Sequence, residues 1–459
     1  MTNPAQRPPL PFADIVRARI AQASLSALML ICVPVVLVQS TYAQTFTVIH
    51  NFTGGLDGGI PQTGLTIDSA GNLYGTTVGG GNIQSDSCYA VGCGVVFKLT
   101  HHSSGWFLTP IYTFQGNTDG AAPCSRIIIA SNGTLYGTTN EGGGTQCSQG
   151  GSCEANLRGC GTIFNLAPPS HGSGGALAPW NETVLYRFTG GSDGAYPTGD
   201  LAFDSAGNLD GAATSGGTFG GECGTQLGCG TVYQLSPSGS GWALNVLHSF
   251  SAINDGVAPQ GGVALDSAGS VYGTTTFDDN TQGPGCGTVF QLTPSGSGWE
   301  STILHWFGRT QGDGCYPIAG LIVDSAGNLY GGTPWVYEGQ PAGSGEVYKF
   351  ASTRNGLDYQ VVFDFFDDGH GGLGANLMMD SAGNLYGTTG SQGAYGHGSV
   401  FKLTPRGGVW AFTSLYDFTG GDDGGTPRSS LVQDSAGNIY GTAATGGTRN
   451  KGVVFEITP

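Results

Sequence analysis

Seven carboxylates recur in one setting along this chain of 459 residues: Asp57, Asp119, Asp193, Asp255, Asp313, Asp368 and Asp423, each followed by glycine. Six of them have a proline four residues further on: Pro61, Pro123, Pro197, Pro259, Pro317 and Pro427. Carboxylates gathered on one face suit a hard cation such as calcium, which wants several oxygens. The competing use is a turn, in which Asp accepts backbone N–H groups and Gly supplies a positive φ. Recurrence in every repeat favours the turn, because binding sites break symmetry. His370 and His397 stand apart from the other histidines: both lie in the sixth unit, His370 in a link reading Asp367-Asp368-Gly369-His370 that lacks the proline, His397 before the third strand. Two imidazoles near two carboxylates suit metal ligation or acid–base work, against the alternative of solvated loop residues. Trp335 and Tyr337 interrupt a Gly-rich loop and offer rings on which a sugar can stack; packing on neighbouring structure is the plainer use. Ser192 sits in a G-x-S-x-G string, but a nucleophile elbow needs a strand-to-helix turn, and Ser192 holds a variable turn position that is Leu56 or Asp422 in other copies, so it is not read as a nucleophile. His50, His248 and His305 share a repeat position with Tyr112, Tyr186 and Tyr416, which marks them as packing residues.

The elements that must position these residues are set by a repeat. The phrase Asp68-Ser-Ala-Gly-Asn-Leu-Tyr-Gly-Thr-Thr returns from Ala130, Asp204, Asp266, Asp324, Asp380 and Asp434, at spacings of 62, 74, 62, 58, 56 and 54 residues. Each unit holds four strand-like segments and no helical periodicity. The pattern predicts an all-β, seven-bladed propeller of four-stranded antiparallel blades. The ends support a closed ring. Residues 46–52 read as an outer strand, and the chain finishes on a third strand, so the seventh blade is predicted to combine 46–52 with 431–458. Pairing them removes two exposed sheet edges. The Asp-Gly links and the loops between second and third strands then share one face, where the candidate site residues and the cysteines fall. The turns of the repeated phrase lie on the other face, and there little distinguishes one blade from another.

The first 43 residues carry Arg7, Arg17 and Arg19, an apolar run of 14 residues from Leu25 to Val38, and Thr41-Tyr42-Ala43. That is the pattern of a secretory signal, leaving 44–459 as a single domain with no span of membrane. Ten cysteines remain after Cys32 leaves, consistent with disulfides in an oxidising compartment. Cys88, Cys153 and Cys223 lie shortly before Cys93, Cys160 and Cys229, which suggests local bridges. Cys286 is placed to reach Cys315, and Cys124 and Cys147 remain. The formal net charge is −17, and −19 without the leader, which takes three arginines and Asp14 with it. Such a surface repels phosphate backbones, so nucleic acid is excluded as a partner. Charged residues are only 10% of the chain, whereas glycine contributes 84 residues, so solubility rests on small polar groups.

The repeated phrase, with Gly-Val-Val-Phe-Lys-Leu-Thr-Pro, resembles the Gly-rich tandem repeats of exported bacterial proteins called GloVer (Gloeobacter–Verrucomicrobia) repeats. The resemblance spans residues 46–459. It implies an extracellular or surface location and no established activity. The Asp-x-x-Gly-Asn-Leu-Tyr core is also similar to NHL-type propellers. The sequence thus predicts a secreted or periplasmic binding or scaffold propeller for polysaccharide or protein. A metal-dependent lyase or hydrolase with its site at the channel mouth is the alternative.

Overall fold

The computed structural model describes residues 44–459 except 84–87, 89–90, 146, 148–158, 170–178, 220–222, 224–227, 254, 279–284, 297, 310–312, 337–344, 355 and 366–370. The expectation of a leader over 1–43 lies outside the described residues. Every regular element of size is a strand, and no helix among the described residues is long and apolar enough to cross a membrane.

The seven phrases build seven four-stranded antiparallel sheets arranged in a ring. Blade one is typical: an inner strand Thr66–Ile67, a second Leu73–Thr77, a third Val95–His102 and an outer strand Gly105–Thr113. Blade three carries an extra short strand, Ala195–Pro197, beside its second. The seventh blade is closed as the ends predicted. Thr45–Asn51 lies antiparallel to Val453–Thr458, with Val48 opposite Phe455 and Asn51 opposite Val453. Contacts across this closure repeat those between ordinary neighbours. Thr76 Oγ1 donates to the Pro123 carbonyl of blade two, and Thr442 Oγ1 donates to the Pro61 carbonyl of blade one at 3.3 Å.

Third strands are buried on both faces because blades stack face to face around the ring. Val95, Val96, Phe97 and Leu99 are wholly buried, and the same pattern recurs in each blade. The constancy of the phrase follows from this packing. A Cβ on Gly75 would come within 2.6 Å of the Phe97 ring and 2.8 Å of Leu65, so no side chain fits there. The start of the phrase is a hairpin turn locked by its Asp. Asp68 Oδ1 accepts the amides of Ala70 and Asn72, both at 2.9 Å, and Oδ2 accepts Asn72 Nδ2 and the Tyr74 hydroxyl. Burial pushes the Asp68 carboxyl up, but these hydrogen bonds outweigh it and hold the group below the usual carboxylate range.

Four bridges are described: Cys88–Cys93, Cys147–Cys160, Cys223–Cys229 and Cys286–Cys315. Cys124 is disulfide-bonded as well. One pairing corrects the expected pattern: Cys160 joins Cys147, 13 residues away, rather than Cys153. The Cβ position of Gly190 lies 2.6 Å from the Cys147 sulfur, so the bridge packs against the link entering blade three. Cys153 itself lies outside the described residues. These bridges indicate an oxidising, extracellular environment.

Blade five departs from the others at one buried position. Where blades two, three, four and six start their third strands with Thr162, Thr231, Thr288 and Ser399, blade five has Glu346, 1% exposed. Its Oε1 accepts the Gly314 amide at 3.1 Å and the Tyr359 hydroxyl. Tyr359 stacks on His305, ring centroids 4.0 Å apart.

Candidate functional site

The Asp-Gly links are turns with a defined internal chemistry. A β-bulge interrupts each outer strand at one place, for example between the Val96 and Phe97 pairings, leaving Ile111 as the extra residue. The bulge re-aims the next side chain onto the link carboxylate. Tyr112, Tyr186 and Tyr416 donate their hydroxyls to Asp119, Asp193 and Asp423, each at 3.0 Å. In the histidine blades, Nε2 of His50, His248 and His305 lies 3.2, 2.6 and 3.1 Å from Asp57, Asp255 and Asp313. Burial holds the His50 imidazole below its ordinary value, and the Asp57 contacts offset only part of this. Each carboxylate also accepts a backbone amide four residues upstream, as Asp193 does from Thr189 at 2.8 Å. Thr189 Oγ1 adds a further bond at 2.5 Å. The six described link carboxylates are therefore held in six separate turns and are not brought together. Among the described residues, no group of three or more His, Cys, Asp or Glu side chains is placed to hold a metal ion. Asp368 and His370 lie outside the described residues.

Beyond each turn the chain is pinned in a rare conformation. Ile60, Ala122, Tyr196, Ala258, Tyr316 and Thr426, each just before the link proline, have φ between 52° and 60°. Their amides donate to the segment before the third strand, as Tyr316 N does to the Cys286 carbonyl at 2.8 Å. These links deliver the inner strands to the central channel. The residues entering it are Gly64, Arg126, Asp200, Gly262, Gly320, Asn376 and Ser430, one per blade. Four of them form a polar brace. Arg126 Nε stands 3.2 Å from Asp200 Oδ2, Asn376 Nδ2 donates to the same oxygen at 3.0 Å, and Gly320 N donates to Asn376 Oδ1 at 2.6 Å. Four blades are tied in this way. Past the brace is a cavity of about 540 Å³ walled by Ile128, Phe203, Leu265, Val323 and Met379 among others.

A second cavity, of about 420 Å³, opens on the link face beside blades four to seven. Its apolar wall is Phe277, Tyr316, Ile318, Pro334 and Trp335; its polar groups are Gln260, Thr276, Ser391 and Arg428. Phe277 and Trp335 are each 44% exposed. Both aromatics are held by backbone ladders. Phe277 exchanges amide bonds with Val257 at 2.7 and 3.1 Å, and Trp335 pairs with Cys315, itself bridged to Cys286. Tyr316 meets the Phe277 ring edge-on at 5.5 Å. Gly372, Gly374 and Gly390 complete the lining without side chains. Arg428 forms no ion pair among the described residues.

Of the residues singled out in the sequence, Trp335 is part of this cavity. Tyr337 lies outside the described residues. His397 is exposed and does not line the cavity; its ring covers Gly420 in the link of blade seven. Phe277, Tyr316 and Arg428 were not picked out. Arg428 alone carries a positional signal: it follows the link proline, where blades one to four have Gln62, Cys124, Thr198 and Gln260, whereas Tyr316 is matched by Tyr196 in blade three.

The repeat family described as the Gloeobacter/Verrucomicrobia repeat matches residues 35–279, 148–372 and 284–459. No curated protein matches the chain. Solved structures of similar shape include a putative 6-phosphogluconolactonase from Bacteroides uniformis, 12% identical, covering 76% of this chain and 84% of that one with a TM-score of 0.47. The periplasmic gluconolactonase of Pseudomonas aeruginosa is 14% identical over 83% of this chain and 94% of its own, TM-score 0.44. A carbohydrate-active enzyme of family AA12 from Trichoderma reesei is 12% identical over 90% and 96%, TM-score 0.42.

Proposed function

Because this chain belongs to the Gloeobacter/Verrucomicrobia repeat family, we propose that it is an exported binding module whose link-face cavity holds a neutral polysaccharide. The observation that carries this reading is the cavity's lining. Two half-exposed rings, Phe277 and Trp335, flank a mouth edged by amide, hydroxyl and guanidinium groups. Sugar rings present apolar C–H faces to aromatics and hydroxyls to such a rim. Among the described residues, neither a carboxylate nor a histidine lines the cavity, so the described lining supplies no acid–base pair. The overall charge of −17 opposes polyanions, which favours an uncharged chain with Arg428 donating to its hydroxyls. The bridges and the leader pattern support a location outside the cytoplasm.

Affinity electrophoresis through gels containing neutral or uronate polysaccharides, beside a glycan array, tests the reading. Wild type is expected to be retarded by at least one neutral polymer. Trp335→Ala with Phe277→Ala loses that retardation, about 10-fold or more for two stacking rings, with an unchanged melting temperature. Equal retardation of the double variant, or retardation by uronates alone, overturns it.

A further inference from the structure

The second strand of six blades carries a tyrosine at one position: Tyr74, Tyr136, Tyr272, Tyr330, Tyr386 and Tyr440. Its hydroxyl donates to the Asp that opens the phrase wherever that Asp is present, as from Tyr386 to Asp380 at 3.0 Å. Its ring fills the joint with the next blade, often against a tryptophan. Tyr74 meets Trp180, Tyr136 meets Trp242, Tyr330 meets Trp410 and Tyr440 meets Trp106, at centroid separations of 6.3, 6.3, 6.5 and 5.6 Å. In three blades a lysine lies over the ring: Lys98, Lys349 and Lys402.

Blade three breaks this joint at the tyrosine. Asp210 stands in the tyrosine's place and Gln234 in the lysine's, while Trp299 of blade four remains. Where the ring is missing lies a cavity of about 490 Å³ whose polar lining includes Asp204, Asp210, Gln234 and Asp266 and whose apolar walls include Phe203, Leu265 and Trp299. Asp210 has no exposed surface, and its Oδ2 has no hydrogen-bond partner. Its Oδ1 accepts Gln234 Nε2 at 3.1 Å. Asp204 Oδ2, which elsewhere receives the tyrosine hydroxyl, receives Asn208 and, at a long 3.3 Å, Gln234. A buried carboxylate oxygen without a donor is costly, so its retention calls for a partner that the folded chain does not supply.

We propose that this joint is a second binding site, and that it takes an amino sugar. The sugar's ring replaces the missing tyrosine ring against Trp299, and its ammonium and hydroxyl groups donate to Asp210 and Asp204. No described lining residue is cationic, and three are carboxylates, so the site discriminates against uronic acids. It lies at the phrase-turn end of the blades, on the face opposite the link cavity, and does not depend on the reading of that cavity.

Heteronuclear NMR titration of the full chain with glucosamine, glucose and glucuronate tests this. Glucosamine is expected to bind saturably, with the Trp299 indole resonance among those that move. Glucose binds at least about 10-fold more weakly and glucuronate not at all. Asp210→Tyr, which restores the residue of the other six blades, abolishes binding and raises the melting temperature. Asp210→Asn keeps the cavity and weakens glucosamine toward the level of glucose. If Asp210→Tyr does not fold, Trp299→Ala serves as the loss-of-binding variant. The Trp335→Ala, Phe277→Ala protein binds glucosamine as wild type does, which separates this site from the link cavity. Absence of saturable glucosamine binding, equal affinity for glucose, or undiminished binding by Asp210→Tyr overturns the proposal.

Discussion

Glu346→Gln tests whether the blade-five carboxyl is buried as a neutral acid. Burial pushes Glu346 up to about 8, and the repulsion of Asp313 and Asp364 adds to this, while the Tyr359 and Gly314 hydrogen bonds pull the other way. An unfolded glutamate titrates near 4.5. Below that value the group is protonated in both states and costs nothing. Between there and about 8, the unfolded chain gains by ionising and the folded chain does not, so stability falls as pH rises. At about 1.4 kcal/mol per unit, the span gives an upper bound of about 5 kcal/mol lost by pH 8. Glutamine keeps the shape and the oxygen that accepts Gly314 N, but cannot ionise. Chemical unfolding with the disulfides intact, near pH 5 and near pH 9, reads the difference. The variant is expected to match wild type or fall slightly below it at the acid end, and to exceed it by about 3–5 kcal/mol at the alkaline end. Glu182 and Asp210, both raised to about 7, lower both proteins alike and cancel in the comparison. A wild-type-to-variant difference that is flat with pH, or that moves the other way, refutes the reasoning.

Asp193→Ala removes the acceptor of Tyr186, of Thr189 N and of Thr189 Oγ1, and is expected to cost about 1–3 kcal/mol in thermal unfolding. Ala258→Gly should stabilise the chain by up to about 1 kcal/mol, because a Cβ at φ 59° is strained; a loss of stability there means the alanine methyl is needed for packing. Deleting Gln44–Asn51 leaves Val453–Thr458 as an open edge, and size-exclusion chromatography should show dimers or aggregates in place of monomer.

The ring was legible because one phrase recurs seven times and the two ends hold complementary strands. The link turns were legible for the same reason, since Asp-Gly and Pro keep their spacing. What a repeat hides is the partner of each conserved group. His50 and Tyr112 looked alike as packing residues, and they do pack, His50 edge-on to Phe52 and Tyr112 to Phe114. Their second role, bonding an Asp seven residues on, depends on a bulge that leaves no mark in the composition. Cys147 was missed as the partner of Cys160 because the nearer cysteine in sequence was preferred, while the loop returns on itself beside Gly190. Phe277 and Arg428 occupy positions whose residue type varies from blade to blade, so only their arrival at one mouth shows their relation to Trp335. Asp210 was readable in principle: alignment of the seven phrases puts Leu-Asp where the other six copies have Leu-Tyr, Ile-Tyr or Val-Tyr.

Closure by the first strand also dictates a schedule for folding. Asn51 accepts the Thr448 amide across 397 residues of sequence, whereas a blade's own strands meet within a few tens. Thr45–Asn51 must therefore wait, unpaired, until six blades and most of a seventh exist. The entropic penalty is modest, since three doublings of loop length add only about 2 kcal/mol. The delay is the larger matter. Throughout it, one β-strand and the edge it will cover are both exposed, and two chains in the same condition can trade these strands. The alternating surface of Thr45-Phe46-Thr47-Val48 makes that exchange a hazard for as long as the ring stays open.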